Sequence, residues 1–119
     1  HYAVARMVVA ARANGLRAID GPFGDIKNAD GFVAQARLSA VLGCEGKWAI
    51  HPSQVDVVND VFSPSEEEIL RANRVLSAME EAKRDGRGAV TLDGRLIDLA
   101  SIRQAEVLVR KAEVIAANG

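Results

Sequence analysis

"AIDGPFGDIKN", residues 18–28, and "GKWAIHPSQ", residues 46–54, decide how this chain folds. Each is a short apolar run that stops at a proline-containing loop. A run of four or five apolar residues closed by Gly-Pro or His-Pro reads as a brief buried strand feeding a loop. The spacing predicts one strand over Leu16 to Asp20 and a second over Lys47 to Ile50.

Helical patterns surround both runs. Tyr2, Val4, Ala5, Val8, Val9 and Ala11 recur at near-helical spacing, and Asn14-Gly15 closes that helix at about Ala13. Between the strands, Ala29 to Leu42 forms a second helix with Phe32, Val33, Ala36, Leu38, Ala40, Val41 and Leu42 on a broad apolar face, stopped by Gly43. Pro52 suits the first turn of a third helix. Helices alternating with strands imply a parallel sheet covered by helices. Two parallel strands leave bare edges, so residues 1–62 ask for further strands, from the same polypeptide or from other chains. The chain opens at His1 in mid-pattern with no cap before it, as the interior of a longer polypeptide would.

Residues 63–119 read differently. Ser63, Pro64 and Glu66 suggest a helix start of the capping-box kind, with Ile69, Leu70, Val75, Leu76 and Met79 facing inward. Gly86 and Gly88 end that helix. Ala89 to Leu92 and Arg95 to Ile97 flank Asp93-Gly94, a strong hairpin-turn signal, and a last helix runs from about Ala100 to Ala117.

Composition narrows the function. Of 119 residues, 49% are hydrophobic and 26% charged, as in globular proteins generally. With a net charge of -1 and no basic block, nucleic acid is a poor partner. No apolar run approaches the ~20 residues of a membrane span, and no signal peptide is visible. A single cysteine, Cys44, rules out an internal disulfide and fits a reducing cytoplasm.

Four places carry chemistry-bearing side chains. Asp20 ends a strand where α/β folds set functional carboxylates, with Asp25 and Asp30 in the loop beyond. The plainer reading is a strand end and a capped or solvated loop, because three loop carboxylates at this spacing are no metal motif. His51 follows the second strand at the same end and could be an acid, a base, a ligand contact or a metal ligand, though a lone His with no second ligand at i+4 is more often a packed or loop-ordering residue. Trp48, alternating with Ile50, reads as a packing residue, and Cys44 as a small buried filler. Asp98 stands between the hairpin and the last helix. It is either a helix cap or a group offered to an active site. Arg103, Arg110 and Lys111 on that helix form a solvated face or reach an anion.

Residues 5–32 ("ARMVVAARANGLRAIDGPFGDIKNADGF"), 42–69 ("LGCEGKWAIHPSQVDVVNDVFSPSEEEI") and 86–109 ("GRGAVTLDGRLIDLASIRQAEVLV"), in that order, resemble the HpcH/HpaI aldolase and citrate lyase beta-subunit family, within it malyl-CoA lyases and citrate-lyase-beta-like proteins. The resemblance implies an α/β fold: the C-terminal portion of a (β/α)8 TIM-type barrel, here its last two βα units over residues 1–62, followed over residues 63–119 by a helical lid or oligomerisation segment with a small hairpin. It implies Mg²⁺-dependent carbon–carbon cleavage or formation on acyl-CoA thioesters through a thioester enolate. The family's metal-binding acids and its substrate-gripping Arg lie upstream of this segment, so the resemblance places no metal ligand in the chain, and Asp20 matches none. It gives Asp98, in "GRLID", the role of an acid/base acting from the lid in a neighbouring subunit. Ile50, His51 and Pro52 would line the coenzyme A site, and "DGPFGD" would border the same mouth. A homo-oligomer, trimer or hexamer, follows from a lid that serves its neighbour. Thioester hydrolysis within the same family, or a non-catalytic truncated relative serving as an oligomerisation or binding module, are the alternatives. The segment alone would be inactive.

Overall fold

The computed structural model describes residues 1–119. Two compact units divide the chain, His1–Phe62 and Ser63–Gly119.

The first unit holds helix α1 (Tyr2–Ala13), strand β1 (Ile19–Asp20), helix α2 (Ala29–Val41), strand β2 (Gly46–Lys47), a 3-10 turn at Pro52–Gln54 and helix α3 (Val55–Phe62). β1 and β2 pair in parallel, with Ile19 opposite Gly46 and Asp20 opposite Lys47. Backbone hydrogen bonds from Glu45 N to the Ala18 carbonyl (2.8 Å) and from Trp48 N to the Asp20 carbonyl (3.1 Å) extend the pairing on either side. The core gathers Val8, Ala18 and Cys44, with Val4, Ala11 and Phe62 packed against them. Gly43 ends α2 at φ +99°, and a Cβ there would stand 3.1 Å from Val8 Cγ1, so this position requires glycine twice over. The cap of α2 is Asn28, whose Oδ1 accepts from Gly31 N at 2.9 Å. Neither Asp25 nor Asp30 takes that role. Asp25 Oδ1 instead accepts from Lys27 N at 3.2 Å and orders the loop.

Both strands are shorter than the apolar runs suggest. β2 stops after Lys47 because the Ile50 N–H is taken by the Gln54 side chain and not by a neighbouring strand. Trp48, expected as a packing residue, is 61% exposed in this unit. Tyr2, Val9, Leu16, Ile19 and Val41 also leave apolar surface exposed on this unit.

The second unit holds helix α4 (Glu66–Arg84), a hairpin of β3 (Val90–Leu92) and β4 (Arg95–Ile97), and helix α5 (Leu99–Asn118). The cap of α4 is Ser65 rather than Ser63. Ser65 Oγ accepts from Glu68 N (3.1 Å) while Glu68 Oε2 accepts from Ser65 N (2.8 Å), a reciprocal box two residues later than the proline suggests. Glu66, Glu67 and Glu68 in the first turn and Lys83 and Arg84 in the last both favour the helix dipole. Leu70 points outward, and the buried residues of α4 and α5 are Ala72, Ala82 and Ala105, small enough to let helices approach closely. The hairpin turns through Asp93 (φ +52°) and Gly94 (φ +76°), the pair of positive angles that a tight two-residue turn demands.

Candidate functional site

Asp20, at the end of β1, faces Lys47, its partner in register. Lys47 Nζ donates to Asp20 Oδ2 (2.8 Å) and to the Gly21 carbonyl (2.7 Å). The Ser39 hydroxyl, buried on α2, also bonds Asp20 Oδ2 and stands 3.0 Å from the Gln35 carbonyl. The Lys47 side chain is 1% exposed and its ammonium lies 5.9 Å from the centre of the Phe32 ring. A lysine so buried needs its charge met, and a carboxylate plus a carbonyl meet it. Burial pushes the Asp20 carboxyl up, but the hydrogen bonds from Lys47 and Ser39 outweigh it and hold the group below its ordinary value. Asp20 is thus a structural partner whose ionised form is favoured, with both neighbours inside the unit.

Beyond the strands run two loops. Phe23, in the first, packs on Phe32 with ring centres 6.0 Å apart. His51, in the second, caps the 3-10 turn: its Nδ1 accepts from Ser53 N (3.2 Å) and lies 2.8 Å from Ser53 Oγ. A backbone N–H can only donate, so Nδ1 is the acceptor and the neutral ring carries its proton on Nε2. His51 therefore offers a donor from an exposed ring. Ile50 and Pro52 flank it, both exposed. Gln54, 3% exposed, ties the two loops together: Oε1 accepts from Ile50 N (2.9 Å), and Nε2 donates to the Phe23 carbonyl (3.3 Å). Sequence reading picked out Ile50, His51 and Pro52 and passed over Lys47, Ser39 and Gln54. A charged residue opening one apolar run and an opposite charge closing the other ("KWAI", "RAID") were the available signal for the first.

Cys44 is buried. Burial first, then the nearby Asp20 charge, push its thiol up, which makes it a poor nucleophile.

Asp98 belongs to the second unit. It is the N-cap of α5: Oδ1 accepts from Ser101 N (2.7 Å) and from Ser101 Oγ (2.8 Å). These bonds, the backbone one foremost, lower its carboxyl from the ordinary value. Both fall on one oxygen of an exposed residue, and Ile97 beside it is buried, so a fixed hairpin presents a carboxylate to solvent. A groove between α4, the hairpin and α5 is lined by Arg71, Val75, Leu92, Leu96, Ser101 and Leu108 and does not include Asp98. No group of three or more His, Cys, Asp or Glu side chains in the chain is arranged to hold a metal ion.

Residues 1–52 match the model of the HpcH/HpaI aldolase/citrate lyase family. The chain is 55% identical, over 98% of its length, to an L-malyl-CoA/beta-methylmalyl-CoA lyase of Cereibacter sphaeroides, and spans 37% of that protein. It is 43% identical, over 94% of its length, to a (3S)-malyl-CoA thioesterase of the same species, of which it spans 39%. Among solved structures it is similar to CitE from Mycobacterium tuberculosis in complex with magnesium, acetoacetate and coenzyme A. There the TM-score is 0.76 at 34% identity, over 94% of this chain and 40% of that one. The chain is thus a helix-rich α/β segment that spans little more than a third of its curated relatives, and over that span it belongs to the HpcH/HpaI aldolase/citrate lyase family.

Proposed function

We propose that this chain is part of a carbon–carbon lyase acting on acyl-CoA thioesters of the malyl-CoA, citramalyl-CoA or citryl type. The observation that carries the reading is the 55% identity to a malyl-CoA lyase, sustained over 98% of the chain and through both units. In this reading residues 1–62 are the last two βα units of a (β/α)8 barrel, and residues 63–119 are a lid and oligomerisation segment. The parallel β1–β2 pair and the apolar surface left on Tyr2, Val9, Leu16, Ile19 and Val41 support the barrel, whose remaining strands and helices would cover them. A barrel needs about 250 residues.

The exposed face of Ile50, His51 and Pro52 is the coenzyme A contact. His51 Nε2–H is a donor for a phosphate or carbonyl oxygen, and the Ile50 side chain, 49% exposed, offers apolar contact. Asp98 is the acid/base. As a carboxylate it removes a proton from the thioester α-carbon in the condensation direction; in the cleavage direction it returns that proton to the enolate carbon. The lid of one subunit brings it to the site of a neighbour, which makes the enzyme a homo-oligomer, trimer or hexamer, and closure excludes water from the enolate. Magnesium, present in the CitE complex, would polarise the acid part of the substrate. In this reading its ligands come from the part of the enzyme outside residues 1–119. No helix is long and apolar enough to cross a membrane, and the proposed location is the cytoplasm.

In the full-length enzyme, Asp98→Asn should lower kcat by about 10²–10⁴-fold, the usual range for a lost general acid/base, while acyl-CoA binding persists. Turnover near that of wild type would leave Asp98 as a cap alone. The likeness to a malyl-CoA thioesterase favours a second reading, in which Asp98 activates water at the thioester. Product analysis separates the two: a lyase releases a shorter acyl-CoA and an oxo acid, a thioesterase releases free coenzyme A.

A further inference from the structure

Gln54 is the one side chain that joins both loops beyond the strands, and it spends both ends of its amide to do so. Its acceptor holds Ile50 N and its donor holds the carbonyl of Phe23, 31 residues earlier in the chain. It is 3% exposed, so the amide is held by these two partners and not by solvent. Lys47 acts alongside it, one strand position from the same loops, with Nζ on the Gly21 carbonyl and Asp20 Oδ2. Phe23 packs on Phe32, and Asp25 and His51 order their own loops locally, but none of these contacts joins one loop to the other. β1 and β2 are two residues each, and a Cβ at Gly21 or Gly24 would meet nothing within 4 Å, so the first loop is not braced by packing at either glycine.

We infer that Gln54 and Lys47 are positioning residues that lock the Gly21–Phe23 and Trp48–His51 backbones into one preformed surface for the coenzyme A thioester. This rests on the acyl-CoA reading of the same loops. Neither residue is catalytic: Gln54 acts through the backbone of Ile50 and Phe23, Lys47 through Asp20 and Gly21. A binding surface ordered in advance avoids the entropic cost of ordering it at each encounter, so the clamp shows in ground-state affinity and not in the chemical step.

The test uses the full-length enzyme with acetyl-CoA as the probe. Gln54→Met keeps length and burial and removes both hydrogen bonds. It should raise the Kd and KM for acetyl-CoA about tenfold, leave kcat within about threefold, and speed amide exchange in residues 21–25 and at Ile50. Gln54→Glu covers the case in which the methionine variant does not fold. It is the same shape, still accepts from Ile50 N as a carboxylate, and cannot donate to Phe23. It should also raise KM, with faster exchange confined to the first loop. A folded variant with unchanged KM, or one that loses kcat and kcat/KM equally, overturns the positioning role. Wild-type enzyme that fails to bind acetyl-CoA overturns the acyl-CoA reading itself, and the inference with it.

Discussion

Two ion pairs of nearly equal length stand in the two units. Lys47–Asp20 spans 2.8 Å in the first, Arg74–Asp93 spans 2.9 Å in the second. Their surroundings differ. The side chains of the first are 1% and 17% exposed, those of the second 50% and 63%. Distance alone therefore says nothing of what each does. The exposed pair links α4 to the hairpin turn through water-screened charge and contributes little. The buried pair cannot be broken without stranding an ammonium or a carboxylate, and it ties together the last residues of β1 and β2. The first unit sets one ion pair inside as scaffolding, beside the exposed Arg12 and Arg17 contacts to Glu45. In the second unit the Arg74–Asp93 pair and the Asp98 cap both lie at the surface.

The sharpest way to break that contrast is to delete each cation in turn. In the full-length protein, Lys47→Met should cost about 3 kcal/mol, because Asp20 keeps only Ser39 as a side-chain partner. Arg74→Met should cost less than about 0.5 kcal/mol. Midpoints of urea denaturation measure both. Equal costs would mean that the buried pair is no more structural than the surface one.

Acid should act on the same difference. Asp20 is held below its ordinary value, so its pairing contributes stability above the unfolded-state value of about 3.9 and loses it as pH falls through the lower folded value. Asp20→Asn should therefore be less stable than wild type at neutral pH, with the gap closing as pH drops below about 4. Denaturation midpoints taken across that range decide it. A gap that stays constant down to acid would show that the ionised form of Asp20 is not what Lys47 and Ser39 stabilise.

How much of this could be read from the chain follows from how local each signal is. The helices, the Asp93-Gly94 turn and the cap at Asp98 depend on residues within four positions of one another, and their patterns announce them. The strands were overread, since a run such as "KWAI" looks the same whether its edge is paired or ends in a loop. Only the side chain of Gln54, seven residues after Lys47, takes the Ile50 N–H out of the ladder. The clamp itself was hidden. Lys47, Ser39 and Gln54 read as surface residues by type, and they bond partners 19 to 31 positions away that the parallel pairing of β1 and β2 brings near.

The smallest expected effect is on Asp98, and it sharpens the contrast from the exposed side. Ser101→Ala removes the hydroxyl bond to Asp98 Oδ1 and leaves the backbone N–H bond in place. The ionised form loses one of the contacts that favour it, so the carboxyl moves up toward its ordinary value. Where Asp98 works as the base, in the condensation direction, the acidic limb of the rate profile then shifts to higher pH. The kcat/KM profile reports the free enzyme, in which Asp98 caps α5, and should shift. The kcat profile reports the bound enzyme. If the carboxylate leaves its cap to reach the thioester, that limb stays where it was. Both limbs shifting together would mean that Asp98 does its chemistry while still capping the helix; neither shifting would remove Asp98 as the titrating base.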